Sequence, residues 1–351
     1  MHKKNHKAVE FIFGTTHQKI SSQLKLLDTD KFRFNIYDNK LGFKDIISDS
    51  RLLFIATIYG LEAAVLLTKS VGQMRIRRDS LRLVKNLALA KFAKFHLKEY
   101  NVLIQYNDHS PYNVMLQELA KQLGLKTVYI QHAPVSRRFP PLYHDLNVLF
   151  SNDSLEKYRF TTGEDFNKHN YLIFYDVRFP PKENLDSGKS DYTLLCFNKL
   201  DDLAEIHKVL AALTERGIEV KLRPHPEDYR TLSFDDHIKI STGNTIWEDL
   251  AGAHSVIVNE SAVPLEALYC SVPVYKLSSL SVSIRDNYGF LETGLLEKEY
   301  FSIEELLGDL LNKKNVSNLQ KLDFFLGNLD KREELKRKLD IEIKMLQNNI
   351  E

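Results

Sequence analysis

The chain is poor in several things that would define a specialised class. Only two cysteines, Cys196 and Cys270, occur in 351 residues, both in apolar runs. A disulfide framework is therefore excluded, and reduced core thiols of a cytoplasmic protein are the expectation. Charge of one sign is also missing: 48 Lys and Arg against 47 Asp and Glu leave a formal net charge of +1. No global field draws the chain to nucleic acid, so any anion must be recognised locally. The longest apolar stretch runs from Leu52 to Thr68 and is broken by Gly60 and Glu62. A spanning helix needs ~20 apolar residues, so a buried strand, a turn and a core helix are predicted here. The basic start, Met1-His2-Lys3-Lys4, is followed by a strand-like run with no cleavage pattern of a signal peptide. No Cys/His cluster has zinc spacing. There is no Gly-x-Gly-x-x-Gly phosphate loop and no short-period repeat. No cofactor is implied.

What the chain has is alternation. Hydrophobic residues make up 43% and charged residues 27%, an ordinary globular balance, and the length favours two domains. In the first half, strands are predicted at 8–13, 32–37, 52–58, 101–106, 126–131 and 146–150, with helices near 18–27, 61–70, 77–99 and 111–123. A stretch with Pro180-Pro181, Asn184 and Gly188 reads as a linker over 179–191. The pattern then restarts, with strands at 192–197, 218–223, 237–241, 255–259 and 272–275 and helices at 201–216, 245–252 and 262–270. The fold class predicted is α/β: two Rossmann-like, doubly wound domains facing a central cleft. An acceptor-binding domain over 1–178 precedes a nucleotide-donor domain over 192–330. A charged helix over 331–351 then returns to the first domain. Ligands of such sheets sit outside the carboxyl ends of the strands.

Two strand ends in the second half carry chemistry. Arg223-Pro224-His225-Pro226 closes one strand, and the prolines stiffen the backbone around a single imidazole. Arg223 beside it suits a phosphate, because a guanidinium donates two hydrogen bonds at once. Another strand ends at Asn259-Glu260-Ser261, where a helix is predicted to begin with Ser261 as its N-cap, leaving free N–H groups for a phosphate. Glu260 and Glu266 are then placed to accept from ribose hydroxyls. Ser241-Thr242-Gly243-Asn244-Thr245 also joins a strand to a helix; Thr242 and Asn244 are candidate donor contacts, and a plain capping turn fits equally.

These residues resemble the His-Pro and Ser/Thr motifs of GT-B fold bacterial surface-polysaccharide transferases. Sialyl- and polysialyltransferases, Kdo transferases and CDP-glycerol glycerophosphotransferases are the families concerned. The resemblance covers mostly residues 190–280. It implies that His225 and Ser261 hold the phosphate of a cytidine nucleotide, with CMP-sialic acid or CMP-Kdo as favoured donor. Ala262 stands where those families often carry a second Ser or Thr. The resemblance also implies a capsule or lipopolysaccharide acceptor. A CDP-polyol phosphotransferase, a non-hydrolysing nucleotide-sugar epimerase and a non-catalytic glycan-binding protein are the alternatives.

Glycosyl transfer needs a base for the acceptor hydroxyl. Two first-half strand ends offer one: Asn107-Asp108-His109 and Gln131-His132. Asp108, His109 and His132 are the candidates, and sequence alone does not choose among them. Gln131-His132-Ala133 is similar to the Gln-His-Gly segment of phosphotransferases and Kdo-type transferases. Arg137 and Arg138 are candidates for an anionic acceptor, and Gly14, in a loop predicted after the first strand, for close ligand approach. Asp28-Thr29-Asp30 matches the Asp-x-Asp of metal-dependent transferases, but a turn before a strand explains it, and no metal is predicted. Between Arg75 and Lys98, cations alternate with an apolar face. Such a helix either packs on the sheet or rests on anionic lipid beside a lipid-linked glycan.

Overall fold

The computed structural model describes residues 7–26, 29–34, 93–108, 110–185, 191–226, 228, 230, 234, 238–243, 245–281, 285–314 and 316–348. The chain forms two six-stranded, wholly parallel sheets with flanking helices. The first takes the order β2-β1-β3-β4-β5-β6, from β1 (Ala8–Phe13), β2 (Thr29–Phe34), β3 (Val102–Gln105), β4 (Lys126–Ile130), β5 (Leu146–Leu149) and β6 (Asn170–Ile173). The second takes the order β12-β11-β10-β7-β8-β9, from β7 (Tyr192–Phe197), β8 (Val220–Pro224), β9 (Lys239–Ile240), β10 (Ala253–Val258), β11 (Val274–Leu277) and β12 (Glu299–Tyr300).

Both sheets bury both faces, which is why their central strands read as apolar runs. Alternate residues part cleanly. Leu194, Cys196, Val256 and Val258 pack on one face of the second sheet, and Leu195, Phe197, Ile257 and Leu222 on the other. In the first sheet Ile12, Ile104, Val128 and Val148 face one core, against which Leu339 and Ile343 of the last helix are buried. That helix, Arg332–Asn348, is therefore part of the first domain's core, and Asn101 Nδ2 donates to the Gln347 carbonyl at 3.1 Å.

Helix caps follow the sequence closely. α1 spans Gly14–Leu24, α2 Pro111–Gln122 and α3 Asn152–Thr162. Ser151 Oγ accepts from Ser154 N–H to start α3, and Gly163 at φ 62° ends it. α4 (Leu203–Thr214) opens on Asp202, whose carboxylate accepts from the N–H groups of Ala204 and Glu205. α5 (Ile246–Leu250) and α6 (Val263–Tyr269) are short. α7 (Ile303–Leu311) begins with Ser302 accepting from Glu305 N–H at 3.2 Å. Residues 322–326 form α8, and 332–348 form α9.

Several boundaries differ from the sequence reading. Gly14 starts α1 rather than a loop, and Thr29 and Asp30 belong to β2 rather than to a turn. Asp30 accepts from Tyr100 Oη at 3.0 Å. α3, β6 and β12 were not anticipated: their sequences are half polar, and partners far along the chain define them. The predicted strand at 52–58 and helix at 61–70 lie outside the described residues, as does 75–92. Residues 93–97 are helical, with Ala93 and Leu97 buried and Phe95 exposed. Among the described residues no helix is long and apolar enough to cross a membrane.

The two sheets are joined twice. The chain leaves the first sheet through 174–181, and a second crossing near Gly327 leads back toward α9. Tyr175 bridges Gly327, Asp176 N–H donates to the Leu326 carbonyl at 2.8 Å, and Arg332 Nη1 donates to the Phe179 carbonyl at 2.6 Å.

Candidate active site

In each sheet the first strand in sequence sends its successors both ways. β7 is followed by β8 on one side, while β10 returns on the other; β1 is likewise flanked by β2 and β3. Such a reversal opens a crevice at the carboxyl edge. A cavity of about 610 Å³ lies there, between the domains. From the first domain it is lined by Lys19, Ile20 and Gln23 on α1, and from the crossing segment by Arg178 and Pro180. The second domain contributes Asn198 after β7, Arg223 to Pro226 at the end of β8, Trp247 on α5, and Ser261 and Glu266 around α6.

His225 and Ser261 thus line the same space. The Pro-His-Pro turn is held from both sides: His225 N–H donates to the Phe197 carbonyl, and its own carbonyl accepts from Asp228 N–H, each at 2.8 Å. Arg230 braces that turn. It pairs with Asp228 at 2.9 Å and donates to the carbonyls of Asn198 and Asp201 at 2.8 and 2.7 Å. His225 as a whole is exposed. Ser261 is not the N-cap, which is Ala262; its Oγ accepts from Val263 N–H at 3.2 Å. Accepting that bond leaves its own O–H to donate.

Arg223 lines the cavity, and one end of its guanidinium, Nη1, is engaged internally with the Asp249 carboxylate and with Ser241 Oγ at 3.1 Å. Asp249 is fully buried and also holds Lys221 Nζ at 2.6 Å. Burial raises the Asp249 carboxyl, but Lys221, Ser241 and Arg223 outweigh it and hold it below the usual range. The 241–243 loop is part of this network, and Thr242 is exposed outside the cavity lining. Asn244 lies outside the described residues.

Glu260 also departs from its predicted ribose role. Its carboxylate pairs with Lys276 of β11 and accepts the N–H groups of Asp286 and Asn287 at 2.7 and 2.8 Å. A carboxylate so satisfied organises a loop. Glu266 keeps its place in the cavity. Its nearest cation is Arg178, Nη1 to Oε1 at 3.9 Å, and its buried Oε2 has no hydrogen-bond partner. Burial pushes this carboxyl up to about 7 despite Arg178.

In the first domain, Asp108 is buried and accepts from Tyr158 Oη at 2.7 Å; Tyr129 Oη stands 3.3 Å from that hydroxyl. Neither Asp108 nor His132 lines the interdomain cavity. His109 lies outside the described residues. His132 follows β4 with its ring edge-on to His17 of α1, centroids 5.3 Å apart. Burial, then His132, lowers the His17 pKa to about 3, so His17 stays neutral. Gln131 fixes the loop, donating to the Ala133 carbonyl at 2.8 Å and accepting from Phe150 N–H at 2.9 Å. Arg137 and Arg138 border a separate interdomain pocket of about 150 Å³ with Lys157, Arg285 and Glu292. Arg137 pairs there with Glu292 across the domains at 2.9 Å.

Sequence reasoning missed Arg178, Asn198 and Trp247. Asn198 was within reach, since it follows β7 as His225 follows β8. Arg178 was not, because it ends the predicted first domain outside any motif, and only the second domain brings it to a cavity.

No family model matches the chain, and no curated protein does either. Solved structures do. A UDP-N-acetylglucosamine 2-epimerase from Rickettsia bellii is similar at TM-score 0.56 and 14% identity, over 97% of this chain and 96% of that one. The glycotransferase of kitacinnamycin matches at 0.54 and 10%, over 97% and 98%. The wall teichoic acid polymerase TagF, in a crystal soaked with CDPG, matches at 0.52 and 11%, over 99% and 91%. At these identities the likeness is one of fold: two Rossmann-like domains in the GT-B arrangement.

Proposed function

We propose that the chain is a glycosyltransferase that moves a sugar from a nucleotide-activated donor to a glycan acceptor. The observation that carries this reading is the cavity at the switch point of the second sheet, where His225, Ser261 and Glu266 converge. The phosphate of the donor lies against Ser261 Oγ, the His225 ring and Glu266, and the nucleoside lies toward Trp247. The motif resemblance favours a cytidine nucleotide carrying sialic acid or Kdo. The acceptor enters from the first domain, with Arg137 and Arg138 available to an anionic glycan or lipid-linked glycan.

In the reaction the acceptor oxygen attacks the anomeric carbon, and the bond from that carbon to the phosphate oxygen breaks. The electron pair leaves with the nucleotide, and the acceptor proton passes to a base. His132 is favoured as that base over Asp108, whose carboxylate already receives the Tyr158 hydroxyl. Donors at the phosphate stabilise the departing charge.

The same fold carries enzymes named as a glycotransferase, a polymerase and 2-epimerases, so products must separate the chemistries. A thermal-shift panel of CMP, CDP, UDP and GDP comes first. A ligand at about 100 times its Kd adds about 2.7 kcal/mol, a rise of several degrees. His225→Ala and Ser261→Ala are expected to abolish that shift while keeping the unliganded Tm. If none of the four nucleotides moves the wild-type Tm, the donor site is wrongly placed. A phosphodiester product would mean phosphotransfer instead, and turnover without any acceptor would mean epimerisation.

A further inference from the structure

The crossing segment brings into the cavity a cation that no motif announces. Arg178 is fixed by its neighbour Asp176: the carboxylate accepts Arg178 N–H at 3.0 Å and Nε at 2.9 and 3.1 Å, and also receives Nη2. The guanidinium lies 5.7 Å from the Phe150 ring of the first domain and 5.9 Å from the Phe179 ring of the second. This clamp uses one edge of the fork. Arg178 lines the cavity, and the other edge of its fork, at Nη1, makes no hydrogen bond among the described residues. Its nearest carboxylate, Glu266 Oε1, is beyond hydrogen-bond reach at 3.9 Å, and Glu266 Oε2 is buried without a partner. The pair is therefore an unfinished one: a held cation and an under-satisfied acid, both facing the same space.

Resting on the donor reading above, we propose that Arg178 binds the donor phosphate through Nη1 and that Glu266 takes up a proton as the anion enters. Donor binding and protonation of one carboxyl are then a single coupled event. An anion placed against Nη1 meets Glu266 at short range. In a cavity of low dielectric, two like charges that close repel strongly unless one is neutralised. Protonation removes the repulsion and makes Glu266 a hydrogen-bond donor to the phosphate, while its carbonyl oxygen still accepts. The proton comes from solvent and returns there when the nucleotide leaves. The groups facing Glu266 are Arg178 and Asp176 from the crossing, Cys196 from β7, Cys270 at the end of its own helix and Tyr288 from the loop before β12. Of these only Arg178 favours the charged acid. Burial has already carried the Glu266 carboxyl to about 7, so uptake near neutral pH is within reach.

The test is calorimetric titration of the full chain with whichever of CMP, CDP, UDP and GDP binds it, in buffers of differing ionisation enthalpy. At about pH 8 the wild type should take up more protons per nucleotide than Glu266→Gln, with the difference approaching about one; near pH 5 that difference should vanish. Subtracting the variant removes the nucleotide's own phosphate titration. Arg178→Met should weaken binding by about 30-fold or more, with Arg178→Lys intermediate. Because Arg178→Met strands Asp176, the double variant with Asp176→Asn must show the same loss. Equal proton uptake in wild type and Glu266→Gln, or Arg178→Met binding within about threefold of wild type, overturns the proposal. If no nucleotide binds the wild type, it is the donor site itself that fails; binding without an uptake difference fails only the coupling.

Discussion

Replacing Arg223 by methionine separates a structural arginine from a ligand-binding one. The side chain is largely buried, and its Nη1 is committed to Asp249 and to Ser241 Oγ. Removing one partner of a buried ion pair costs about 3–5 kcal/mol when the other charge is left alone. Asp249 is not left alone: Lys221 Nζ stays 2.6 Å away, and the Ser241 hydroxyl donates at 2.6 Å. The expected loss is therefore smaller, about 2–3 kcal/mol. At roughly 2–4 °C per kcal/mol for a domain of this size, the transition of the second domain falls by about 4–12 °C. Methionine keeps most of the stem volume, so the cost reports the guanidinium rather than a cavity. The loss should also have an acid limb. Asp249 titrates below its usual range, so its contribution is present above pH ~4 and disappears as pH falls through the folded value. Scanning calorimetry of wild type, Arg223→Met, Asp249→Asn and the double variant checks this, with a coupling of about 1–3 kcal/mol expected in the cycle. Nucleotide affinity, measured below all four transitions, should change less than about threefold. A Tm within about 1 °C of wild type together with a tenfold loss of nucleotide affinity, worth ~1.4 kcal/mol, would show that Arg223 serves the ligand and would sink the argument.

Three further outcomes follow from the geometry. Gly327→Ala should cost about 3 kcal/mol or more, since a Cβ there would lie 2.1 Å from the Phe150 carbonyl oxygen and 2.5 Å from that of Phe174, at φ 72°; an unchanged urea midpoint would refute the tight crossing of the two chain segments. The Glu266 carboxyl has a folded pKa above its unfolded value, so its contribution to stability is full below pH ~4 and is lost as pH rises through 7. Glu266→Gln should therefore gain stability relative to wild type between about pH 5 and about pH 8, and a pH-independent difference would contradict the burial of that acid. Arg137 and Glu292 are both more than half exposed, so Arg137→Ala should cost less than ~1 kcal/mol; a raised acceptor KM at unchanged Tm would assign the side chain to the acceptor, and unchanged kinetics would remove it from the site.

The strands most legible in the sequence were those with water on neither face. Leu194, Leu195, Cys196 and Phe197 are apolar in succession because both sides of β7 are covered, and such a run announces itself without reference to any partner. β12 gave no such signal: Glu299 and Tyr300 make a strand only because β11 stands beside them. The same division runs through the site. That His225 and Ser261 share a cavity could be anticipated because a strand end is a local property, and the rule that ligands gather there needs only the strand. Glu260 and Glu266 could not be told apart on that ground. They lie six residues apart on the same segment, and what separates them is distant. Lys276 and the backbone at Asp286 and Asn287 consume one carboxylate, while burial opposite Arg178 leaves the other half-satisfied. The second partner of Arg223 was hidden for the same reason, since the acid that engages its Nη1 is 26 residues away on another element. A charged side chain at a strand end thus marks where a ligand can sit; whether the side chain is available to it is decided by the counter-charges that tertiary packing supplies. Arg178, whose partner Asp176 occupies one edge of the guanidinium and leaves the other open, is the residue for which that accounting points toward the cavity rather than away from it.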